Sequence, residues 1–380
     1  MRPGRFFVAC ALSLSIAGCF EERFLAEVAT RCDERSVVLS TAGNSELGTL
    51  GASEGFRVLT YEESTGLFFV ELGEDGGVRR GPFSLGRKDR VRGAQLIRER
   101  DGYRAVFLRV EDGVRSLRSS FIDPEAQGAV SDETNVVTSP SRGFRLALGE
   151  GPPTVVWIDE LERELAVSTL TEGVAEPAIA RIEWDLSWRL GDVVQDSRGD
   201  VFVLWNDDGA RSVLRFSGAE SSRVVDGAVG EEAKLVNDDG SVWLARSDEA
   251  QLELLPLSEN GAARTVPLTG SIRHLSTDPS GLSGRLLGWS TGSEVQVALD
   301  ESVVAVLPDV GTVGDLEIGR TLSRGILLGI EAELNESDRV ELIQRRPPNP
   351  SRQGPPGRIR QIPRADGGPQ RGSGGDHNAL

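Results

Sequence analysis

The chain has few residues of the types that carry side-chain chemistry. Its 380 residues include two His, three Cys, two Tyr and one Met. His274 lies in a strand-like segment and His377 near the C-terminus, so neither a Ser/His/Asp arrangement nor a His-based metal cluster can be built. No glycine-rich phosphate loop stands between a strand and a helix. The sequence therefore predicts a protein without enzymatic activity.

Lysine is also scarce, and the charge of the chain is strongly negative. Only Lys88 and Lys234 are lysines among 42 basic residues, and 59 acidic residues give a net charge of −17. A surface of this sign repels nucleic acid and anionic lipid. We therefore expect no nucleic-acid partner.

The three cysteines do not form a disulfide framework. Cys10 lies in an N-terminal apolar run, Cys19 directly follows that run, and Cys32 is the only one left. A single remaining thiol leaves the body of the protein without an intrachain bridge.

The N-terminus has the pattern of an export signal. Arg2 and Arg5 precede a short apolar run over 6–16, which is too short to span a membrane as a helix. The run Ile16-Ala17-Gly18-Cys19 resembles the lipobox of bacterial lipoproteins. The resemblance implies a signal peptide over 1–18, lipid (palmitate-type) acylation of Cys19 and an acylated linker over 19–34. An ordinary secretory leader cut near Ala17 is the alternative.

The body of the chain is a series of strand-rich units. Apolar residues alternate in short runs that are separated by Gly with Asp or Asn, as in antiparallel meanders. Seven similar second strands start 40 to 51 residues apart, and each is followed by a third strand. This period with four strands per unit is typical of β-propeller blades. The second strands lie at 56–61, 103–110, 154–159, 200–207, 241–247, 285–291 and 325–333.

The strand count predicts how the ring closes. The last unit lacks a fourth strand, and a surplus strand, RSVVLST (35–41), stands at the beginning. Its pairing with RVELIQR (339–345) would cover two exposed sheet edges. We therefore predict an all-β, seven-bladed propeller of four-stranded antiparallel blades over 35–345. Six blades, with 86–140 irregular, are the alternative.

The C-terminal residues 346–380 have a different composition. They contain seven Pro, seven Gly and six Arg and almost no core-forming side chains. Such a segment cannot bury enough apolar surface to offset its ordering entropy. We predict a disordered basic tail.

The candidate binding residues lie at the turns between second and third strands. In a propeller these turns share one face, which here becomes an acidic rim suited to Ca²⁺ or to a basic partner. Ordinary turn formation by Asp is the alternative. Aromatic residues precede the turns, as a platform for a ligand or as packing between blades. The candidates are Tyr61, Glu62, Glu63, Glu111, Asp112, Trp157, Asp159, Trp205, Asp207, Asp208, Asp248 and Trp289.

The leader and the strand pattern together resemble the envelope-lipoprotein β-propellers of Gram-negative bacteria. The likeness is specific over 1–19 and is a strand pattern alone over 35–345, without a family motif for activity. No activity carries over from it, and we predict a lipid-anchored, non-enzymatic binding or assembly module in the cell envelope, whose partner is an envelope protein or polysaccharide. Phe20 after the anchor favours the outer membrane. A glycan-binding or glycan-cleaving propeller and a Ca²⁺-stabilised structural propeller are the alternatives.

Overall fold

The computed structural model describes most of the chain between its two ends. The described residues are 5–13, 34–38, 47–52, 55–62, 66–73, 78–85, 90–99, 101–123, 129–131, 133–148, 152–185, 187–207, 210–225, 232–247, 251–258, 261–278, 284–292, 294–307, 312–320, 325–333 and 344–345. All regular structure within these residues is β-strand. None of them belongs to a helix long and apolar enough to cross a membrane.

Six antiparallel sheets are each built from a consecutive stretch of chain. Blades 1 to 3 consist of β3 (Leu47–Ala52), β4 (Gly55–Glu62), β5 (Gly66–Leu72), β6 (Val78–Ser84); β7 (Arg90–Glu99), β8 (Gly102–Glu111), β9 (Val114–Asp123), β10 (Ala129–Val130), β11 (Thr134–Asn135); and β12 (Ser141–Ala147), β13 (Thr154–Asp159), β14 (Glu164–Thr171), β15 (Val174–Ala175), β16 (Ala180–Glu183). In blades 2 and 3 the outer strand is split into two short pieces.

Blades 4 to 6 are regular four-stranded meanders, in which each strand pairs with the next. They consist of β17 (Arg189–Gln195), β18 (Val201–Asp207), β19 (Ala210–Ser217), β20 (Glu220–Val225); β21 (Ala233–Asp238), β22 (Ser241–Ser247), β23 (Gln251–Pro256), β24 (Arg264–Pro267); and β25 (His274–Thr277), β26 (Leu286–Ser290), β27 (Val295–Leu299), β28 (Ser302–Leu307). The first strands of successive blades adjoin one another around a common axis. The fold is a β-propeller.

The chain ends form one further sheet of a different construction. It has five strands in the order β2 (Glu34–Val38), β31 (Gln344–Arg345), β1 (Arg5–Ser13), β30 (Gly325–Glu333) and β29 (Thr312–Arg320). We call it the end sheet. Its strand β29 lies between the first strands of blades 6 and 1.

The prediction of seven four-stranded blades is therefore corrected. The structure has six such blades, which is the count of the alternative, and the chain ends make a mixed five-stranded sheet instead of a seventh. The predicted pairing of the two ends is limited to Glu34 with Arg345 and Arg35 with Gln344. The partner that runs along β30 is β1, from Arg5 opposite Glu333 to Ser13 opposite Gly325. Cross-strand pairing of segments distant in sequence cannot be read from strand counts.

Strand β1 lies inside the predicted signal peptide. Residues 16–19 with the lipobox, Cys32, most of the linker 19–34 and the tail 346–380 lie outside the described residues. By its internal contacts, the chain divides into a unit over Met1–Pro348, which contains the propeller, and a second unit over Asn349–Leu380. Signal peptide, linker and tail remain predictions.

The core lies between neighbouring blades, because both faces of each blade are covered. Five hydrophobic clusters fill the five spaces between blades 1 and 6. In β18 the buried side chains alternate between the two neighbouring blades along the strand. Val201, Val203 and Trp205 contact blade 3, and Phe202 and Leu204 contact blade 5. Successive side chains of a strand point to opposite faces, so two covered faces require a continuous apolar run.

The first strand of each blade exposes an unpaired backbone edge toward the axis, and side chains of neighbouring blades cover part of it. Gln95 Oε1 accepts a hydrogen bond from Leu146 N (2.8 Å), and Asp192 Oδ2 accepts one from Leu235 N (3.1 Å). In blade 6, Ser276 Oγ accepts from Ile318 N of β29 (3.1 Å). Buried backbone N–H groups need such partners. These bonds join successive blades where the ladder stops.

The first strands of blades 2 to 4 and strand β29 of the end sheet each carry a bulge near their start, and each bulge contains a glycine. The register shifts between Arg92 and Ala94, Ser141 and Phe144, Leu190 and Val193, and Val313 and Asp315. Gly93 has φ +60°, and a Cβ on Gly191 would lie 2.9 Å from Leu204 O. A bulge increases local twist, and these two positions require the absence of a side chain.

The hydrogen bond from Ile318 N to Ser276 Oγ can be tested with two serines of the same blade. Ser276→Ala leaves the buried Ile318 N–H without its acceptor, and we expect a loss of about 1–3 kcal/mol in the free energy of unfolding. The control is Ser290→Ala, because Ser290 is equally buried but its hydroxyl has no partner among the described residues. Denaturant titration of both variants measures the difference. Equal losses would show that this hydrogen bond contributes nothing.

Candidate functional site

The second-to-third turns and the starts of the first strands lie at the same end of the propeller. Arg189, the first residue of β17, pairs with Asn206 near the end of β18. The second-to-third turn of blade 4 begins after the next residue, Asp207. Ser141 of β12 likewise pairs with Asp159. We call this end the upper face and the opposite end, with the first-to-second turns, the lower face.

In blade 2 the acidic turn is a tight two-residue hairpin. Asp112 and Gly113 have φ of 48° and 82°, as in the hairpin turns that favour Asp-Gly. Both Glu111 and Asp112 are exposed. Glu111 Oε1 lies 2.7 Å from Arg109 Nε, and Arg109 also binds Glu133. Asp112 therefore presents its carboxylate to solvent, while Glu111 is held by an ion pair.

In blade 3 the turn has one buried and several outward residues. The Asp159 side chain is buried, and its Oδ1 accepts hydrogen bonds from Leu161 N (3.1 Å) and Glu162 N (3.2 Å). Leu161 is 70% exposed and stands between half-buried Glu160 and exposed Glu162. Asp159 thus fixes the turn, and the turn projects an apolar side chain between two carboxylates.

Several candidate residues cannot be placed in this way. Glu62 and Asp207 end strands β4 and β18, and Tyr61 lies in β4, but their side chains lie outside the described part of the chain. The other acidic candidates lie outside the described residues altogether: Glu63, Asp208 and Asp248. A rim of five acidic turns stays a prediction. The structure describes two of these turns, those of blades 2 and 3.

The tryptophans of the candidate set lie in the core. Trp157 contacts blade 2, Trp205 contacts blade 3, and Trp289 contacts blade 5. All three are at most 3% exposed. Trp205 also belongs to an aromatic cluster with Trp184 and Trp188, at centroid distances of 5.7 and 4.1 Å. The three tryptophans therefore pack between blades, which was the alternative to a ligand platform, because wide rings fill the space between twisted sheets.

The described carboxylates do not converge on a cation site. Glu111 binds Arg109, and the Oδ1 of Asp159 accepts two backbone N–H groups. Among the described residues no group of three or more His, Cys, Asp or Glu could hold a metal ion. Ca²⁺ needs six to eight oxygen ligands, so these two turns do not supply a Ca²⁺ site by themselves.

A group of basic residues, which the sequence analysis missed, lies on the upper face near the axis. In blades 2 to 6, a basic residue occupies one of the first two positions of the first strand or directly precedes it. We call this group the basic arc. Its members are Arg90, Arg142, Arg189, Lys234 and Arg273. The signal in the sequence was the recurrence of Arg or Lys at or directly before the start of the first strand in blades 2 to 6.

The basic arc contains both free and paired side chains. Arg142, Arg189 and Arg273 are exposed, and within the described ranges none of them forms an ion pair. Lys234 Nζ lies 3.3 Å from Asp192 Oδ1. The side chain of Arg90 lies outside the described residues. The axial part of the upper face therefore has positive charge, whereas Asp112, Glu160 and Glu162 lie on the turns farther from the axis.

The lower face is organised by ion pairs between and within blades. Arg285 of blade 6 is buried and binds Asp238 of blade 5 (3.4 Å), as well as Asp300 (3.1 Å) and Glu301 (2.9 Å). Its guanidinium lies 4.5 Å from the ring centroid of Trp243. These partners satisfy a buried charge, and we assign the cluster a structural role.

Asp200 lies in a first-to-second turn of the lower face and has a perturbed pKa. Burial acts to raise the pKa of its carboxyl, but hydrogen bonds from Arg215 and Ser217 hold the pKa below the ordinary value. Arg215 Nε lies 2.9 Å from Asp200 Oδ2. The carboxylate is therefore stabilised in its charged form and used for structure.

Comparison with known proteins gives the fold and no family. No family model and no curated protein matches the chain. Among solved structures, Raptor from Chaetomium thermophilum matches with a TM-score of 0.52 at 13% identity, over 84% of this chain. The chain spans 30% of that protein's length. At this identity, the likeness shows the propeller fold alone.

Two enzymes are also similar in structure at lower scores. The PQQ-bound aldose sugar dehydrogenase from Streptomyces coelicolor has a TM-score of 0.44 at 13% identity, over 79% of this chain and 98% of its own. An exo-β-1,3-galactanase from Phanerochaete chrysosporium has a TM-score of 0.44 at 7% identity, over 82% and 99%. Propellers host many unrelated functions, so neither activity carries over to this chain.

The Asp200–Arg215 pair predicts a pH-dependent stability. A carboxyl whose pKa is lowered by folding contributes stability above its unfolded pKa of about 3.9, and loses it as pH falls through the folded pKa. We expect Arg215→Gln to cost about 1–3 kcal/mol at pH 7, and the cost to shrink below about pH 4. Denaturant titrations at several pH values measure it.

The control is Arg211→Gln in the same strand, because Arg211 forms no ion pair within the described residues. Its stability should differ little from the parent chain at every pH. A cost for Arg215→Gln that stays constant down to pH 3 would contradict the assignment.

Proposed function

We propose that this chain is a lipid-anchored, non-enzymatic β-propeller of the cell envelope that binds a protein partner through its upper face. The single observation that carries the proposal is the turn of blade 3, where an exposed leucine stands between carboxylates on a fixed backbone. The lipid anchor and the outer-membrane location rest on the leader sequence.

The exposed apolar side chains support a protein contact. Leu161 is 70% exposed, and in the neighbouring blade Val114, which directly follows the acidic turn, is 55% exposed. The hydrogen bonds of Asp159 hold the Leu161 turn in one conformation. A backbone that is already ordered loses little conformational entropy on binding, so a contact on this turn contributes more to affinity. A partner with an apolar pocket bordered by basic residues would fit this surface.

The partners of the acidic residues support a binding role over a catalytic one. The buried Asp159 accepts backbone N–H groups, Asp200 binds Arg215, and Asp196 Oδ1 accepts from Arg198 N and Asp200 N. Burial acts to raise the pKa of Asp200, but hydrogen bonds from Arg215 and Ser217 hold it below the ordinary value, whereas a general acid at neutral pH needs a raised pKa. A pair of carboxylates with raised pKa values in an axial pocket would favour the glycan-cleaving alternative.

Lipidation is tested first with the cysteines. In cells fed labelled palmitate, we expect the full chain to incorporate label and to fractionate with membranes, because two or three acyl chains anchor a protein stably. Cys19→Ser should abolish both, whereas Cys32→Ser should change neither. Membrane association of Cys19→Ser at the level of the parent chain would contradict the anchor.

Protein binding is tested with the exposed leucine. We expect the lipidated protein to capture a specific envelope protein from detergent-solubilised membranes. Leu161→Ser should weaken that capture about tenfold or more, as truncation of a central interface side chain does. Quantitative mass spectrometry of the captured fraction measures the change.

A valine of the lower face provides the matched control. Val174 follows the Glu172-Gly173 turn and is 43% exposed, so Val174→Ser makes a similar apolar-to-polar change next to an acidic residue. It should leave the capture intact. Equal capture by Leu161→Ser and the parent chain would contradict the proposal, and enrichment of polysaccharide without protein would favour glycan binding.

A further inference from the structure

We propose that the docking element of the partner is an acidic loop or chain end that enters the upper face at the axis and binds the basic arc. This inference rests on the proposed protein-binding function and adds the chemistry of the bound segment. It follows from the position of the basic residues, from the absence of ion pairs at three of them within the described residues, and from the acidic turns of blades 2 and 3 that lie beside them.

The basic residues recur at one level of the propeller. Arg90 pairs with Val110, and Arg189 pairs with Asn206, so each lies beside the end of a second strand. Lys234 pairs with Ala245 at the same end of blade 5. No acidic residue occupies the first two positions of the first strand in blades 2 to 6, and Glu232 directly precedes the first strand of blade 5. Five successive blades therefore place a basic residue at one end of the axis.

The three exposed arginines of the basic arc differ in ion pairing from the buried arginines of this protein. Buried Arg104 binds Glu99, and buried Arg285 binds three carboxylates of its surroundings. In contrast, exposed Arg142, Arg189 and Arg273 form no ion pair within the described residues. A guanidinium offers five N–H donors in a planar fork that matches a carboxylate. These three side chains are therefore available to an incoming anion.

The backbone holds part of the basic arc in position. Arg142 lies in the bulge of β12, and Arg189 stands two residues before Gly191 in the bulge of β17. Gly191 contacts the second strand so closely that a Cβ would lie 2.9 Å from Leu204 O. A first strand fixed in this way presents its arginine without a rearrangement on binding.

The acidic second-to-third turns limit which class of anion can bind the basic arc. Asp112 in blade 2 and Glu160 and Glu162 in blade 3 lie at a larger radius than the arc, and the whole chain has a net charge of −17. A uniformly anionic polymer bound to the arc would be repelled by these neighbouring carboxylates. A peptide with an acidic centre and basic flanks complements both zones. The charge pattern therefore selects a protein segment of mixed charge.

The test uses a synthetic peptide and fluorescence anisotropy with the full chain. The probe is a fluorescein-labelled peptide of four consecutive acidic residues flanked on each side by two lysines. We expect saturable binding that weakens as the salt concentration rises, because exposed charge pairs are screened. Arg142→Gln/Arg273→Gln should weaken binding about tenfold or more, since two charge-assisted hydrogen-bond donors are lost.

The control variant removes the same charge from the lower face. Arg98 near the end of β7 and Arg198 in the turn after β17 are both exposed, and neither forms an ion pair in the described part of the chain. Arg98→Gln/Arg198→Gln should change binding less than about twofold. The control peptide has the same eight residues in alternating order and should bind more weakly than the probe.

Several outcomes would overturn the inference. They are the absence of probe binding, equal loss in both double variants, equal affinity for both peptides, and tighter binding of oligogalacturonate than of the probe. The inference and the proposed function fail separately. If the envelope capture depends on Leu161 but not on Arg142 and Arg273, protein binding stands and the role of the basic arc falls.

Discussion

The backbone edge at the axis is the constraint on which this propeller depends. Each blade is a sheet that ends in a first strand, whose axial edge has no neighbouring strand of its own blade. Gln95, Asp192 and Ser276 supply acceptors to N–H groups of the next blade or, for Ser276, of the end sheet. Unpaired edges are costly and invite association with other chains. The same bonds bring the first strands to one level, and this level sets the geometry of the upper face.

The repeat pattern made much of the fold predictable. All seven second strands occur within about two residues of the expected bounds, because a strand buried on both faces needs a continuous apolar run. The outer strand of blade 2 is split into Ala129–Val130 and Thr134–Asn135, where the alternation of apolar residues is weak. Turn chemistry located the acidic residues 111, 112 and 159 at the expected turns. These features are local, and local spacing determines them.

The features that depend on distant contacts were not predictable. The partner of β30 is a segment more than 300 residues away, so the number of blades could not follow from counting strands. The role of Asp159 depends on which N–H groups its side chain meets, which spacing does not show. The basic arc was missed because its members are separated by whole blades, and their common level appears only once the register is known.

The separation of charge on the upper face acts differently on association and on dissociation. At distances beyond about 10 Å, the net negative charge of the body attracts the basic flanks of the segment and repels its acidic centre, and the two effects largely cancel. Only at contact do the guanidinium groups dominate. Added salt would therefore change the rate of encounter little and would mainly shorten the lifetime of the complex, so residence time, more than capture rate, would determine the selectivity for such a ligand.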